Sequence, residues 1–265
     1  MRESHDLPQA VDLAARLAER PARLLVAGGD GTVHHLVNAL AGAPELDWPP
    51  FGIVPLGTAN DFARSLGLPG DWRAALEVAA RGTPRPIDLG WVNGRRFLNA
   101  VHLGTMAEST RRVWPWLKRG VRGGAYGLAV ATTAWRIRPF EASWIVGDMD
   151  GAGWALHLAI ANGRYFGGGM PISSAATLED GQLDLAIVPA LPRGWFLQAA
   201  RRLMAGQGLS LPGIWRLRGE AVAVTCADAP GVSLDGEHFE TGPTLDFRVL
   251  PGAIAVYLPD AAPSS

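Results

Sequence analysis

Apolar positions in the first third of the chain follow two periods. Val11, Ala14, Ala15 and Leu17 share one helical face. Leu24-Leu25-Val26-Ala27 is an unbroken apolar run and reads as a buried strand. Val33, Leu36, Val37 and Leu40 recur at i, i+3, i+4 and i+7, which predicts a helix with Thr32 as its cap. A second strand is predicted over Phe51 to Val54, then a short helix from Asn60 to Leu66. Asp71 caps a further helix that turns Ala75, Leu76 and Ala79 inward and ends at Gly82. This alternation is α/β order and implies a parallel sheet.

Beyond Pro84 and Pro86 the period changes to that of strands. Ile87 to Val92 and Arg95 to Val101 flank Asn93-Gly94, a two-residue hairpin signal. A second hairpin is predicted at Asp150-Gly151, between Ser143 to Val146 and Trp154 to Ala161. Further strands fit Leu183 to Val188, Ala221 to Cys226, Thr244 to Leu250 and Ala253 to Leu258. Helices are predicted from Ala125 to Arg136 and from Trp195 to Met204, and the tail Ala261 to Ser265 is expected to fray. No internal repeat is visible. The pattern divides the chain into an α/β domain, residues 1–86, and a mainly antiparallel β domain, residues 87–260. The chemistry and the resemblance described below make these an α/β nucleotide-binding domain and a β-sandwich domain whose last strand, Ala253 to Leu258, can return to the first.

Two loops carry the candidate chemistry. Gly28-Gly29-Asp30-Gly31-Thr32 and Pro55-Leu56-Gly57-Thr58-Ala59-Asn60-Asp61-Phe62 each end a predicted strand and open a predicted helix. Glycines let a backbone approach an anion, and a helix N-terminus offers free N–H groups. Asp30 beside phosphates calls for a cation between them, which suggests Mg²⁺. In the second loop Thr58 offers a hydroxyl and Asn60 an amide. Asp61 can join a metal–water network, and Arg64 can neutralise a phosphate. The structural alternatives are a tight turn at Asp30 and a helix cap at Thr58 with a solvated Asp61.

Composition narrows the options. Lys118 is the only lysine, so a Walker-type loop with its terminal lysine is excluded at either site. The net charge of −1 gives no support for nucleic-acid binding through global charge. Cys226 is the single cysteine, lies in an apolar run, and reads as a buried strand thiol. Met1 to Gln9 is polar with no apolar stretch after it, so no signal peptide is read. No run approaches the ~20 apolar residues of a membrane span. A cytoplasmic protein is expected, with room for contact at a membrane surface.

At this point the chain resembles a family. GGDGT followed by Pro55-Leu56-Gly57-Thr58-Ala59-Asn60-Asp61-Phe62-Ala63-Arg64 is similar to the diacylglycerol kinase catalytic domain, in its bacterial soluble lipid kinase branch. Ile87-Asp88-Leu89-Gly90, Asn162 to Met170, Leu178 to Asp184 and Leu234-Asp235-Gly236-Glu237 match its later motifs. The ordered set is specific, although GGDGT alone also occurs in NAD kinases and phosphofructokinases. The resemblance implies that Gly29, Asp30, Gly31, Thr32, Val33, His34, His35 and Thr58 contact ATP. It implies that Glu237 is the general base toward a lipid hydroxyl, with Asp235 beside it in a Mg²⁺ and water network. Asp-Gly-Glu alone reads as a β-turn; the other motifs reverse that preference. The resemblance also makes Asp180, with the carbonyls of Thr177 and Gln182, a structural Mg²⁺ site, against the alternative of a plain turn. Asp88 is expected in an interdomain polar network.

Two departures accompany the resemblance. The family usually has asparagine where this chain has His34. The pair His34-His35 reads as helix-surface residues near the nucleotide, against the alternative of a metal or proton site, which no other histidine is placed by motif to join. The family also opens with a strand and an Asn-Pro-x-(Ser/Ala)-Gly loop, and this sequence starts at or just before the helix that follows them. A misassigned start, a fragment and a degenerate homologue are the three explanations. Thr110 to Arg122 interleaves Trp114 and Trp116 with Arg111, Arg112, Lys118, Arg119 and Arg122, which suits either a lipid headgroup region or a solvated loop. The expected partners are a lipid substrate and, peripherally, a membrane; a homodimer is compatible. The expected function is ATP- and Mg²⁺-dependent phosphorylation of a lipid hydroxyl. The alternatives are a catalytically impaired lipid- or nucleotide-binding homologue and an NAD-kinase-like enzyme.

Overall fold

The computed structural model describes residues 23–41, 48–104, 138–171, 176–190, 194–195, 213–227 and 231–260. The helices expected at 11–17 and 125–136, the tryptophan–arginine stretch 110–122 and the tail 261–265 lie outside the described residues. So does the helix expected at 195–204, apart from Trp195.

Strand β1 (Leu24–Gly28) runs parallel to β2 (Phe51–Pro55), in register from Leu24 opposite Phe51 to Gly28 opposite Pro55. Helix α1 (Asp30–Ala41) buries Val33, Leu36, Val37 and Leu40, the face predicted from spacing. It starts two residues before the expected Thr32 cap, because the Gly29 carbonyl already accepts from the N–H groups of Thr32 and Val33 (3.0 and 3.2 Å). Helix α2 (Asp61–Ser65) is short. Helix α3 (Trp72–Arg81) has the predicted cap: the Asp71 carboxylate accepts from the N–H of Arg73 and Ala74 (3.1 and 3.0 Å). It buries Ala75 and Ala79 but leaves Leu76 exposed. A Cβ on Gly52 would collide with Ala79, so β2 and α3 pack closer than side chains on both would allow.

Strand β3 (Thr83–Val92) leads through Asn93 and Gly94, at φ 42° and 91°, into β4 (Arg95–Phe97). Both central residues are left-handed, as a type I′ turn requires. The run expected from Arg95 to Val101 is interrupted at Leu98 and Asn99, and β5 (Ala100–Leu103) resumes after them. Strands β6 (Phe140–Val146) and β7 (Met149–Ala161) turn at Gly147-Asp148, not at Asp150-Gly151. Gly147 takes the positive φ of 58°, while Gly151 sits inside β7, where an added Cβ would press on the Trp144 indole. Short strands β8 (Tyr165–Phe166) and β9 (Met170–Pro171) pair with each other. Strands β10 (Leu183–Pro189), β11 (Trp215–Gly219), β12 (Ala221–Cys226), β13 (Val232–Leu234) and β14 (Glu237–Phe239) follow. Burial in β12 pushes the Cys226 thiol up to about 11, so it is an inert core group.

The last strand, β15 (Thr244–Leu258), unites the two runs read separately. Its first half pairs antiparallel with β12, Ala221 opposite Arg248. It pairs antiparallel with β3 along its length, with an irregularity between Leu250 and Ile254. Its end lies parallel to β2, Val256 opposite Phe51. The result is a parallel α/β region followed by a mainly antiparallel, sandwich-like β region. One core gathers Val33, Phe51, Phe62, Ile87 and Val256. The other gathers Phe97, Trp144, Leu158, Leu185 and Phe247.

Candidate active site

The two glycine loops meet at the ends of β1 and β2. An added Cβ on Gly57 would lie 2.5 Å from the Gly29 Cα, so the two backbones touch where neither has a side chain. Gly31, Thr32, Gly57 and Thr58 face solvent around this contact. With Thr32 and Val33 bonded to Gly29, helix geometry leaves the N–H groups of Asp30 and Gly31 without intrahelical acceptors. Backbone donors, a helix N-terminus and two hydroxyls therefore frame one open cradle that fits polyphosphate. Val33 is 2 % exposed and packs in the core, so its side chain does not face this cradle.

The acids of the loops do other work than their sequence context suggests. Asp30 Oδ2 accepts from the Asp61 N–H (3.0 Å) and Oδ1 from the Phe62 N–H (2.9 Å). It thereby caps α2 from the other loop. Asp61 is buried, and its two oxygens accept from the Gly168 and Gly169 N–H groups (2.8 and 2.6 Å). Burial raises its pKa, against the two amides and Arg64 that lower it. Asn60 is left-handed (φ 51°) and donates to the Gly57 carbonyl (2.8 Å), holding the second loop closed. Arg64 lies against Gly169 and over the Tyr165 ring. The metal–water role expected of Asp61 gives way to a chain of backbone grips: first loop to α2, α2 to the glycine run 167–169.

The Asp-Gly-Glu sequence is both a turn and part of the site. Asp235 and Gly236, at φ 48° and 92°, join β13 to β14. The Asp235 side chain is 1 % exposed. Its oxygens accept from the N–H groups of Leu98 (2.7 Å), Asn99 (2.8 Å) and Ala100 (3.1 Å), which explains the break between β4 and β5. They also accept from His34 Nδ1 (2.9 Å). Amides and an imidazole are thus the protein partners of Asp235, the residue expected beside Mg²⁺ and water. His34 is buried, which disfavours its charge, yet the Asp235 hydrogen bond and the charges of Asp235 and Glu237 raise its pKa above the usual value. Next to it, His35 Nε2 pairs with Glu237 Oε1 at 3.0 Å, and both side chains stay about half exposed. The two histidines read as surface residues are the struts between the glycine-loop helix and the acidic turn.

Asp88 accepts from the N–H groups of Gly181 (2.7 Å) and Gly252 (2.8 Å), and Asn162 donates to the carbonyls of Asp88 and Leu98 (3.0 and 2.9 Å). The network is polar, but these partners all lie within residues 87–260, so these bonds do not cross the boundary at which an interdomain network was expected. The expected structural Mg²⁺ site does not fit. Asp180 Oδ1 accepts from the Gln182 N–H (3.1 Å), and Oδ2 is held by Arg218 Nη2. Arg218 Nε also reaches Asp184 (3.4 Å). A guanidinium already supplies the positive charge that a cation beside Asp180 would bring. Thr177 is exposed.

No position of Arg218 in a recognisable motif announced this pair, whereas His34 and His35 were visible beside GGDGT. Among the described residues no helix is long and apolar enough to cross a membrane.

A glycine cradle at the edge of a parallel strand pair, struck from the side by an acidic hairpin of an antiparallel β region, is the plan of a diacylglycerol-kinase-type phosphotransferase. The comparisons agree. The diacylglycerol kinase catalytic domain profile matches residues 2–92, and the YegS C-terminal NAD kinase β sandwich-like domain profile matches residues 101–258. A protein of Pseudomonas aeruginosa PAO1 described as a probable lipid kinase, YegS-like, is 38 % identical over 248 residues, covering 93 % of this chain and 80 % of its own. One of the same description from Pseudomonas fluorescens is 37 % identical over 257 residues, covering 93 % and 81 %. A solved structure of a diacylglycerol kinase from Bacillus anthracis Sterne has the same fold, with a TM-score of 0.70 at 22 % identity over 98 % of this chain and 84 % of that one. The chain belongs to the YegS-like lipid kinase family.

Proposed function

We propose that this kinase transfers the γ-phosphate of ATP to the hydroxyl of a diacylglycerol-like lipid, with Mg²⁺. The observation that carries the reading is the pairing of His34 with Asp235 and His35 with Glu237, which sets a half-exposed carboxylate beside the phosphate cradle. Gly29, Asp30, Gly31, Thr32 and Thr58 form the nucleotide side, Asp30 through its cap on α2; His34 and His35, on the same helix, serve the acidic turn instead. Val33 contributes backbone only. Glu237 takes the proton from the lipid hydroxyl as its oxygen bonds to the γ-phosphorus and the bond to the ADP oxygen breaks. Asp235 fixes the turn that presents Glu237. When bound, Mg²⁺ offsets phosphate charge. It would be held by the nucleotide's own phosphates and by the acids beside the cradle, whose carboxylates keep lone pairs beyond those the amides use. In this reading residues 1–86 supply the nucleotide side and 87–260 the lipid side.

Labelled ATP, Mg²⁺ and vesicles carrying diacylglycerol, phosphatidylglycerol or sphingosine test the proposal, with NAD as a soluble control acceptor. Transfer to one lipid class is expected, with Glu237→Ala lowering kcat by about 10²–10⁴-fold, the range of a general base. Transfer to NAD alone, or turnover untouched by Glu237→Ala, overturns it.

A further inference from the structure

Two consecutive residues of a helix point about a quarter-turn apart, so they seldom serve the same partner. Here they reach one hairpin by dividing it. His34 turns inward to Asp235 at the turn itself, and His35 turns outward to Glu237 two residues later. The two imidazoles stand edge to face, 5.7 Å between centroids. The inner pair is 7 % and 1 % exposed; the outer pair is 55 % and 47 % exposed. That difference separates their roles. A buried carboxylate that also holds three backbone amides shapes the fold. A half-solvated polar pair adds about 1 kcal/mol or less to stability. Its consequence lies in where it keeps the Glu237 oxygens.

We propose that His35 is a positioning residue for Glu237. Its Nε2 tethers one carboxylate oxygen above the N-terminus of α1, so that the other stays aimed at the acceptor hydroxyl. The inner His34–Asp235 pair anchors the turn, and the outer pair orients the base that the turn displays. This inference rests on the reading of Glu237 as that base. Orientation matters more than the energy of the contact, because displacing a reacting group by about 1 Å costs on the order of 100-fold in rate.

The test compares His35→Leu, His35→Gln, Glu237→Gln and the double variant His35→Leu/Glu237→Gln. Kinetics use labelled ATP and the lipid vesicles that accept phosphate. Thermal unfolding and histidine side-chain ¹⁵N NMR are measured on each protein. His35→Leu is expected to lower kcat by about 10–100-fold. The KM for ATP should stay within about twofold and Tm within about 2 °C, as for an exposed pair. His35→Gln, which keeps a donor, should recover most of the rate. The double variant should be no slower than Glu237→Gln alone, because there is no base left to orient. The His35 Nε2 resonance should move in Glu237→Gln. An unchanged kcat in His35→Leu, an equal loss in His35→Gln, or a further loss in the double variant overturns the inference. A wild-type rate in Glu237→Gln removes the base assignment instead. In that case, or if no lipid accepts phosphate, the resonance decides the contact, and an unmoved signal overturns it.

Discussion

Gly29 and Gly57 bring two loops into backbone contact, and Asn60 Oδ1 lies against the same point. An alanine at position 57 would put its Cβ 2.5 Å from the Gly29 Cα and 2.7 Å from Asn60 Oδ1. Backbone cannot yield as a flexible side chain can, so the loops must part. Gly57→Ala should raise the KM for ATP by about 10-fold or more, with a loss of stability near the ~1–3 kcal/mol usual for overpacking. Isothermal titration with ATP and urea unfolding would check both; unaltered ATP affinity would show that the loops need not touch. The acids around this contact share one habit. Asp30, Asp61, Asp88 and Asp235 each accept at least two backbone N–H groups. Charge-assisted bonds of this kind hold loops in place without a cation. Asp235→Ala would leave three amides and His34 without their acceptor. A cost of about 3–5 kcal/mol is expected in urea unfolding, the range for breaking a buried charged network; a cost below ~1 kcal/mol would contradict the network.

Elements carry these residues to their places. Helix α1 begins at Asp30, which brings the GGDGT aspartate, glycine and threonine into its first turn and turns His34 and His35 toward the β13–β14 hairpin. The hairpin is tight because Asp235 and Gly236 are both left-handed, a conformation that aspartate tolerates and glycine adopts freely. Strands β10 and β11 are tied by Arg218, which holds Asp180 and Asp184 together. With that charge in place, chelation by EDTA should shift the Tm of the native protein by less than about 1 °C. Arg218→Leu leaves two acids facing each other and should lower Tm by about 2–4 °C, in keeping with ~1 kcal/mol for a chain of this size. Added Mg²⁺ should recover part of that loss in the variant only. An EDTA-sensitive native protein would mean that a metal, not Arg218, balances these acids.

At the scale of the whole molecule, a buried histidine pair adds a further ionisable feature among the described residues. His102 on β5 and His157 on β7 stack at 5.2 Å between ring centroids, 3.2 Å apart between Nδ1 and Nε2. Burial lowers His102 to about 3, aided by the charge of His157, and lowers His157 to about 4. Both are therefore neutral in the fold and titrate near 6.5 once unfolded. Their depressed values contribute stability that is complete above about pH 6.5 and is lost as pH falls toward 4. Unfolding free energy should drop over that window by up to about 1.4 kcal/mol per pH unit for each histidine. His34 has the opposite sign: its raised value contributes stability below about pH 6.5 that fades as pH climbs through it. Chemical denaturation from pH 7.5 to 4.5 would measure the balance, and His157→Gln should flatten the acid slope; an unchanged slope would reject the assignment.

The local pattern by itself determined the parts. The apolar faces of α1 and α3, the capping Asp71, the Asn93-Gly94 turn and the strand β12 follow from side-chain period and turn chemistry, which act over a few residues. The ordered motifs were enough to place the chain in its family. The pairing of His34 with Asp235, Asp61 with Gly168 and Gly169, Asp88 with Gly181 and Gly252, and Asp180 with Arg218 came only from the tertiary structure. Four of those six partners are backbone amides, which every residue carries and no residue name advertises. All of these partners are separated by 38 or more residues of chain, and β15, running from the antiparallel region back to β2, joins the two regions in which they lie. A carboxylate's sequence neighbours suggested a metal. Its neighbours in space are N–H groups and cations of the protein itself, which no local pattern displays.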